Sequence, residues 1–185
     1  MSKKHFISSK ISKLIFLFVL AISIVMFLPI KSQAKGDLDE IQKYNIDVQV
    51  NDDATLTMIY HIDWKVLDST SEGPLTWVRI GIPNKHYVKY EALSDNISSI
   101  RYSSNDGQTY VRLDFDRAYY AGEVVEMEFM LVQDYMYQMD LLNEGETVYK
   151  FTPGWFDDIY VKNLSIRWKN DKVSEASPAY EVEGE

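Results

Sequence analysis

Residues 44–66 read YNIDVQVNDDATLTMIYHIDWKV, and this stretch decides the fold. Apolar residues occupy every second position in 44–50 and again in 56–66. Because successive side chains of a strand point to opposite faces, each run predicts a strand with one apolar and one largely polar face. Asn51-Asp52-Asp53-Ala54 lies between the runs, and Asn and Asp favour tight turns because they bond back to their own backbone. The stretch predicts a long antiparallel hairpin with a single buried face, which further strands must cover.

Further strands are predicted along the rest of the chain. In residues 75–82, Trp77 and Arg79 point away from the apolar face. Asp106-Gly107 is typical of a hairpin turn, whereas 84–95 has mixed character and is expected to be a loop or a single helical turn. About eight short strands without an amphipathic helix predict an all-β fold, namely an antiparallel, immunoglobulin-like β-sandwich. The segments after residue 82 that carry strand character are 97–102, 110–116, 123–133, 147–152 and 159–168.

The first 34 residues have the organisation of a secretory signal peptide. Four lysines precede the 15-residue apolar run 14–28, and Ser32-Gln33-Ala34 offers a small-x-small cleavage site. A membrane-spanning helix needs about 20 apolar residues, so cleavage after Ala34 is favoured over the alternative of an uncleaved N-terminal anchor. We therefore expect a signal peptide over 1–34, a β-sandwich domain over 35–168 and an acidic, disordered tail over 169–185.

Charge and cysteine content restrict the partners and the location. All 28 acidic residues lie beyond residue 34, together with 14 of the 19 basic ones, which gives that part a net charge of −14. Such a surface repels phosphate backbones and anionic lipids, so neither nucleic acid nor a membrane surface is an expected partner. The chain has no cysteine, so an exported form would fold without disulfides. We expect an extracellular or cell-surface bacterial protein, attached to a membrane only if the N-terminal segment stays uncleaved.

Two sequence patterns lie near the two ends of the predicted sandwich domain. The first is Tyr44-x-Ile46-x-Val48-x-Val50-x-x-Asp53-x-x-Leu56 with Tyr60-x-Ile62 and Arg79-x-Gly81-Ile82-Pro83, and the second is Val148-Tyr149-x-Phe151-x-Pro153-Gly154-Trp155-Phe156-Asp157 with Val161-x-Asn163-Leu164. Together they span roughly 44–169 and resemble the N-terminal ectodomain of YciQ-type predicted bacterial membrane proteins, domain of unknown function 2207. This chain departs from the family at Ile59-Tyr60, where an acidic residue is common, and at Gly81, which is extra. It also lacks the membrane spans and Gly-rich tail that follow the ectodomain, which leaves open a stand-alone relative or a truncated copy. The family has no established activity, so the resemblance implies no catalytic residue and no cofactor.

Catalytic and metal-binding patterns are not expected to carry the function. His61 and His86 are the only histidines after residue 34, and no G-x-S-x-G, H-E-x-x-H or C-x-x-C motif is present. We therefore predict no catalytic residues, no metal ligands and no cofactor. Glu126 and Glu128 lie on one strand face at about 7 Å by strand rise, within the range used by paired glycosidase carboxylates. A carboxylate-dependent glycoside hydrolase is kept as a remote alternative.

Aromatic residues are the most distinctive feature, with 13 Tyr, eight Phe and four Trp. The candidates for ligand binding are Trp77 and Arg79 on a polar strand face, Trp155 in a predicted turn, and Tyr135 and Tyr137 in the long connection 134–145. The opposing interpretation is that these rings pack under loops or over the core. The leading hypothesis is a non-enzymatic protein or peptide interaction module that binds another envelope protein, by strand addition at a sheet edge. The alternative is a carbohydrate-binding module that uses exposed aromatic rings.

Overall fold

The structure is a computed structural model that describes residues 37–105, 108–139, 145, 147–154 and 159–169. Within these ranges the regular secondary structure is β throughout, and no helix is long and apolar enough to cross a membrane. The predicted signal peptide and acidic tail lie outside the described residues, apart from Lys169. The eleven strands are β1 (Asp39–Val50), β2 (Leu56–Val66), β3 (Leu75–Gly81), β4 (Tyr87–Ala92), β5 (Ile97–Asn105), β6 (Gln108–Tyr119), β7 (Val124–Gln133), β8 (Tyr137–Met139), β9 (Thr147–Tyr149), β10 (Tyr160–Val161) and β11 (Leu164–Trp168).

The strands form two main sheets and one small hairpin. The larger sheet has the order β10-β1-β2-β7-β4, with β11 following β10 along the same side of β1. The smaller sheet has the order β3-β6-β5, and β8 pairs with β9. All pairings are antiparallel except those of β10 and β11, which run parallel to β1.

The predicted β1–β2 hairpin is confirmed. The pairing runs from Asp39 opposite Val66 to Val50 opposite Leu56, and every second residue of β2 is buried. At the turn, the Asp53 carboxylate accepts hydrogen bonds from the Thr55 amide at 3.1 Å and the Thr55 hydroxyl at 2.7 Å. This carboxylate holds the turn in the way expected of an Asp-rich connection.

The apolar faces of the two sheets share one core. Its centre contains Tyr60 on β2 and Phe129 on β7, both fully buried, with ring centroids 4.6 Å apart and planes 7° apart. Val78 and Ile80 on β3 and Leu113 on β6 bring the smaller sheet into the same cluster. The predicted all-β antiparallel sandwich is thus confirmed, with eleven strands in the described residues where about eight were expected.

Strand β4 was not predicted from the sequence. Residues 84–95 were expected to be a loop or a helical turn, but 87–92 pair with β7 and form the edge of the larger sheet. The strand is exposed or half-exposed at every position, so it carries no alternation of apolar and polar residues. A short strand also occurs inside the long connection 134–145, as β8. The predicted turn at 106–107 lies outside the described residues.

Candidate functional site

The candidate site is the solvent-facing side of the smaller sheet. Alternation along β3 buries Val78 and Ile80 and leaves Trp77 and Arg79 outside, as the sequence predicts. The other two strands of the sheet add their own outward-facing residues, so that one continuous polar and aromatic surface results. We call this surface the arginine–tryptophan face, and its residues are Trp77, Arg79, Arg101, Tyr110, Arg112 and Asp114.

Three arginines occupy one row across this face. Arg79 on β3 lies opposite Arg112 on β6, and Arg101 on β5 lies opposite Arg112 from the other side. Like charges directly opposite each other on neighbouring strands destabilise a sheet. The arrangement is therefore one that stability alone would disfavour, and it concentrates positive charge on a chain whose overall charge is negative.

Two guanidinium groups contact the Trp77 ring. The Arg112 Cζ atom lies over the Trp77 ring at 4.2 Å from its centroid, and the Arg79 Cζ atom lies over the same ring at 5.2 Å. Arg79 is also 5.0 Å from the centroid of Tyr110. These distances are within the range of cation–π attraction, which partly offsets the repulsion between the arginines. Trp77 keeps 39% of its surface exposed, so it remains open to a partner.

Asp114 pairs with two of the three arginines. The Arg112 Nε and Nη2 atoms donate to Asp114 Oδ1 at 2.8 Å and 2.7 Å, and Ser99 Oγ donates to Oδ2 at 3.0 Å. Arg101 pairs with the same carboxylate. The hydrogen bonds from Arg112 are the main reason that the pKa of Asp114 is lowered to about 2. Among the described residues, no carboxylate forms an ion pair with Arg79, which leaves its charge available.

Replacing Asp114 with asparagine is expected to lower the free energy of unfolding by about 1–2 kcal/mol at pH 7, because charge-assisted hydrogen bonds are lost and the arginines repel. The folded pKa lies below the ordinary value of about 3.9, so this contribution is present above pH ~4 and disappears as pH falls through about 2. Urea unfolding of both forms at pH 7 and at pH 2 measures the effect. Asp116→Asn, an exposed change on the same strand, is the control, and a gap of equal size at both pH values would contradict the expectation.

The structure brings together only some of the predicted ligand-binding residues. Trp77 and Arg79 share the arginine–tryptophan face, whereas Tyr135 and Tyr137 lie on the segment that leaves β7. Tyr135 is 70% exposed, has a φ of +58° and places its ring 4.4 Å from that of His86. Tyr137 has its ring 6.0 Å from that of Tyr149. Trp155 lies outside the described residues.

Sequence reasoning did not identify Arg101, Tyr110 or Arg112 as site residues. The outward orientation of Tyr110 and Arg112 can be read from the alternation along 110–116. Their position beside Trp77 and Arg79 depends on the register of β6 against β3, and these strands are separated in sequence by β4 and β5. No local pattern encodes that register.

The outer face of the larger sheet carries a second charged cluster, which includes one carboxylate of the hydrolase hypothesis. His61 Nδ1 lies 3.1 Å from Glu128 Oε2, and His61 Nε2 lies 3.6 Å from Asp47 Oδ2. Arg167 Nε donates to Asp47 Oδ1 at 2.7 Å, and Lys169 contacts the same carboxylate. Burial alone would raise the pKa of Asp47, but the hydrogen bonds from Lys169 and Arg167 lower it. The cluster connects four strands of one sheet, namely β1, β2, β7 and β11. Within the described ranges, no group of three His, Cys, Asp or Glu side chains could hold a metal ion.

The chain resembles known proteins only in part of its fold. No protein-family model matches the chain, and no curated protein matches it. Among solved structures, the chain is similar to an M1 zinc metallopeptidase from Deinococcus radiodurans, with 12% identity and a TM-score of 0.36 over 51% of this chain and 20% of that one. A two-domain M1 zinc metallopeptidase variant bound to L-arginine gives 14% identity and a TM-score of 0.37 over 56% and 22% of the two chains. The chain therefore spans about a fifth of the length of these enzymes, and at such TM-scores the likeness carries no argument. The resemblance to YciQ-type ectodomains stays a prediction.

Proposed function

We propose that this chain is an exported, non-enzymatic binding module of the bacterial cell surface that binds an acidic protein or peptide through the arginine–tryptophan face. The observation that carries the proposal is the row formed by Arg79, Arg112 and Arg101. Arg112 and Arg101 share the Asp114 carboxylate, whereas Arg79 has no carboxylate partner among the described residues, so an acidic group of a partner would complete the pairing of the row. The predicted signal peptide supports a location outside the cytoplasm.

The composition of the face favours a protein partner over a sugar. Residues that dominate protein–protein binding energy are enriched in Trp, Tyr and Arg, which are the residues gathered here. A sugar stacks on the open face of an aromatic ring, but guanidinium groups of Arg112 and Arg79 lie over Trp77. Stacking on the part of the ring that the guanidinium groups cover would require these arginines to move.

Carbohydrate binding is retained as the second candidate because of Tyr135. This residue is 70% exposed and has a left-handed backbone conformation, which non-glycine residues adopt infrequently and which is often found at functional positions. Its ring contacts His86, and Tyr137 follows two residues later. The hydrolase alternative has weaker support, because the Glu128 carboxylate contacts His61 in a cluster that joins neighbouring strands.

Site-specific photo-crosslinking in the producing cells tests the proposal. Tyr110→benzoylphenylalanine places a crosslinker on the face, and Tyr120→benzoylphenylalanine places the same group on an exposed position just beyond β6 as the matched control. We expect an adduct of defined mass from position 110 and none from position 120. The adduct is expected to weaken about tenfold when Arg112→Gln or Arg79→Gln is added, because charged pairs supply both specificity and association rate.

Two results would count against the proposal. Equal adducts from both positions, or adducts that do not respond to either arginine substitution, would remove the face as the binding surface. An adduct that glycosidases digest and proteases leave intact would assign the face to the carbohydrate alternative.

A further inference from the structure

Among the described residues, strand β3 is hydrogen-bonded along one side only. The backbone of Gly154 lies against Gly81 and Ile82, so the open part of the other side is 75–80. The strand pairs with β6 over 77–81, and among the described residues no strand pairs with its other side. No described loop forms a backbone hydrogen bond with residues 75–80 either. The strand contains no Lys or Pro, which are the residues that commonly protect a sheet edge from pairing. A register shift between Leu75 and Trp77 confines regular pairing to the second half of the strand.

The hydrogen-bonding phase of β3 identifies which backbone groups face this free edge. The Ile82 amide donates to the Thr109 carbonyl at 3.0 Å, so residues 82 and 109 form a hydrogen-bonded pair. In antiparallel sheets hydrogen-bonded and non-hydrogen-bonded pairs alternate. Ile80 and Val78 therefore point their backbone groups at β6, whereas Arg79 and Trp77 point theirs at the free edge.

Arg79 can therefore contact a partner through its backbone and through its side chain. Its amide and carbonyl face the edge, and its side chain lies on the arginine–tryptophan face without a carboxylate partner among the described residues. A strand added beside β3 would place one of its own residues next to Arg79, as the fourth member of the row that begins at Arg101. An acidic residue at that point would lie within reach of the unpaired guanidinium.

We propose that the partner binds by adding an extended segment to the free edge of β3, with an acidic residue directly opposite Arg79. This inference rests on the proposed function and specifies the mode of binding and the chemistry of the partner. A second copy of this chain does not fit, because two β3 strands paired about a two-fold axis would bring two arginine rows together. The occupant is an acidic segment of another protein, recognised by main-chain hydrogen bonds and by charge.

Three capped pentapeptides, which span only the open part of the edge, test this mode against the chain kept in mild detergent. The first is Val-Glu-Val-Ser-Thr, the second has Lys in place of the Glu, and the third carries an N-methyl group on the Glu. We expect fluorescence anisotropy to show binding of the first peptide and about tenfold weaker binding of the other two, because one loses the ion pair and the other a main-chain hydrogen bond.

Substitutions in the protein identify the contact. Arg79→Gln is expected to weaken binding of the Glu peptide about tenfold, and Arg79→Glu is expected to make the Lys peptide the better ligand. Arg117→Gln is the matched control, because it removes one positive charge from the same sheet at a position paired with Glu123. Thermal unfolding of each variant establishes that the exposed substitutions leave the fold intact.

Amide hydrogen exchange gives a readout independent of affinity. The Trp77 and Arg79 amides should exchange rapidly in the free chain and slowly with the Glu peptide, while those of Val78 and Ile80 should be slow in both states. Equal binding of the N-methylated peptide, equal binding of the Lys peptide, or slow exchange at Trp77 and Arg79 in the free chain would each overturn strand addition. If crosslinking from position 110 survives in that case, the partner binds through side chains alone, and only the present inference fails.

Discussion

Phe129→Ala is expected to lower the free energy of unfolding by about 3–5 kcal/mol, which is the usual cost of removing a fully buried aromatic side chain. Phe129 has no exposed surface, and its ring stacks on Tyr60 at a centroid distance of 4.6 Å. Tyr60 in turn lies 6.1 Å from the ring of Tyr44, so the cavity would open at the junction of β1, β2 and β7. A domain of this size is stabilised by about 5–15 kcal/mol, so the loss would be a large fraction of the total.

Urea unfolding followed by circular dichroism measures this loss. Phe129→Leu is the matched control, because it keeps most of the apolar volume and should cost less than about 1.5 kcal/mol. A loss below about 1.5 kcal/mol in the alanine variant would show that the site collapses around the cavity and that the stack is not central to the core.

Gly154→Ala is expected to lower the free energy of unfolding by about 3 kcal/mol, because an added methyl group has no space. A Cβ atom at this position would overlap the carbonyl group of Gly81 and the amide of Ile82. Backbone atoms cannot rotate aside as a side chain can, so either the end of β3 or the segment around residue 154 must shift. The shift would also displace the free edge of β3 and weaken peptide binding there.

The neighbouring substitution Thr152→Ala is the control for Gly154→Ala. Thr152 is exposed, and its replacement should change stability by less than about 0.5 kcal/mol. Thermal unfolding and the anisotropy assay, applied to both variants, measure the two effects. A stable Gly154→Ala protein with unchanged peptide binding would contradict the close approach of these two glycines.

The sequence predicts the elements whose pattern is local and fails where distant segments determine the outcome. The hairpin 44–66 is predicted correctly because burial of one face imposes an alternation of apolar and polar residues on both strands. Strand β4 is not predicted by the sequence pattern, because an edge strand that is exposed along its length has no buried face to constrain its residues. The second strand to be missed, β8, has three residues, all exposed.

The same distinction applies to the candidate site. The outward orientation of Trp77 and Arg79 follows from the alternation along 75–82 and agrees with the structure. The row that Arg79 forms with Arg112 and Arg101 depends on two strand registers, one of them between strands that are not consecutive. Tyr135 and Tyr137 are exposed as the binding hypothesis requires, but they belong to another part of the molecule.

The parallel pairing of β1 with β11 makes the two ends of the sandwich neighbours across an interval of 120 residues, as the bond from Ser165 to Asn45 shows. A ribosome synthesises β1 some 120 residues before β11, so over that interval one side of β1 lacks its final partner. Such an edge is a template for pairing with other chains. The sandwich is therefore complete only after β11 has been synthesised, and a chain that stalls before Leu164 leaves this side of β1 open to pairing with other chains.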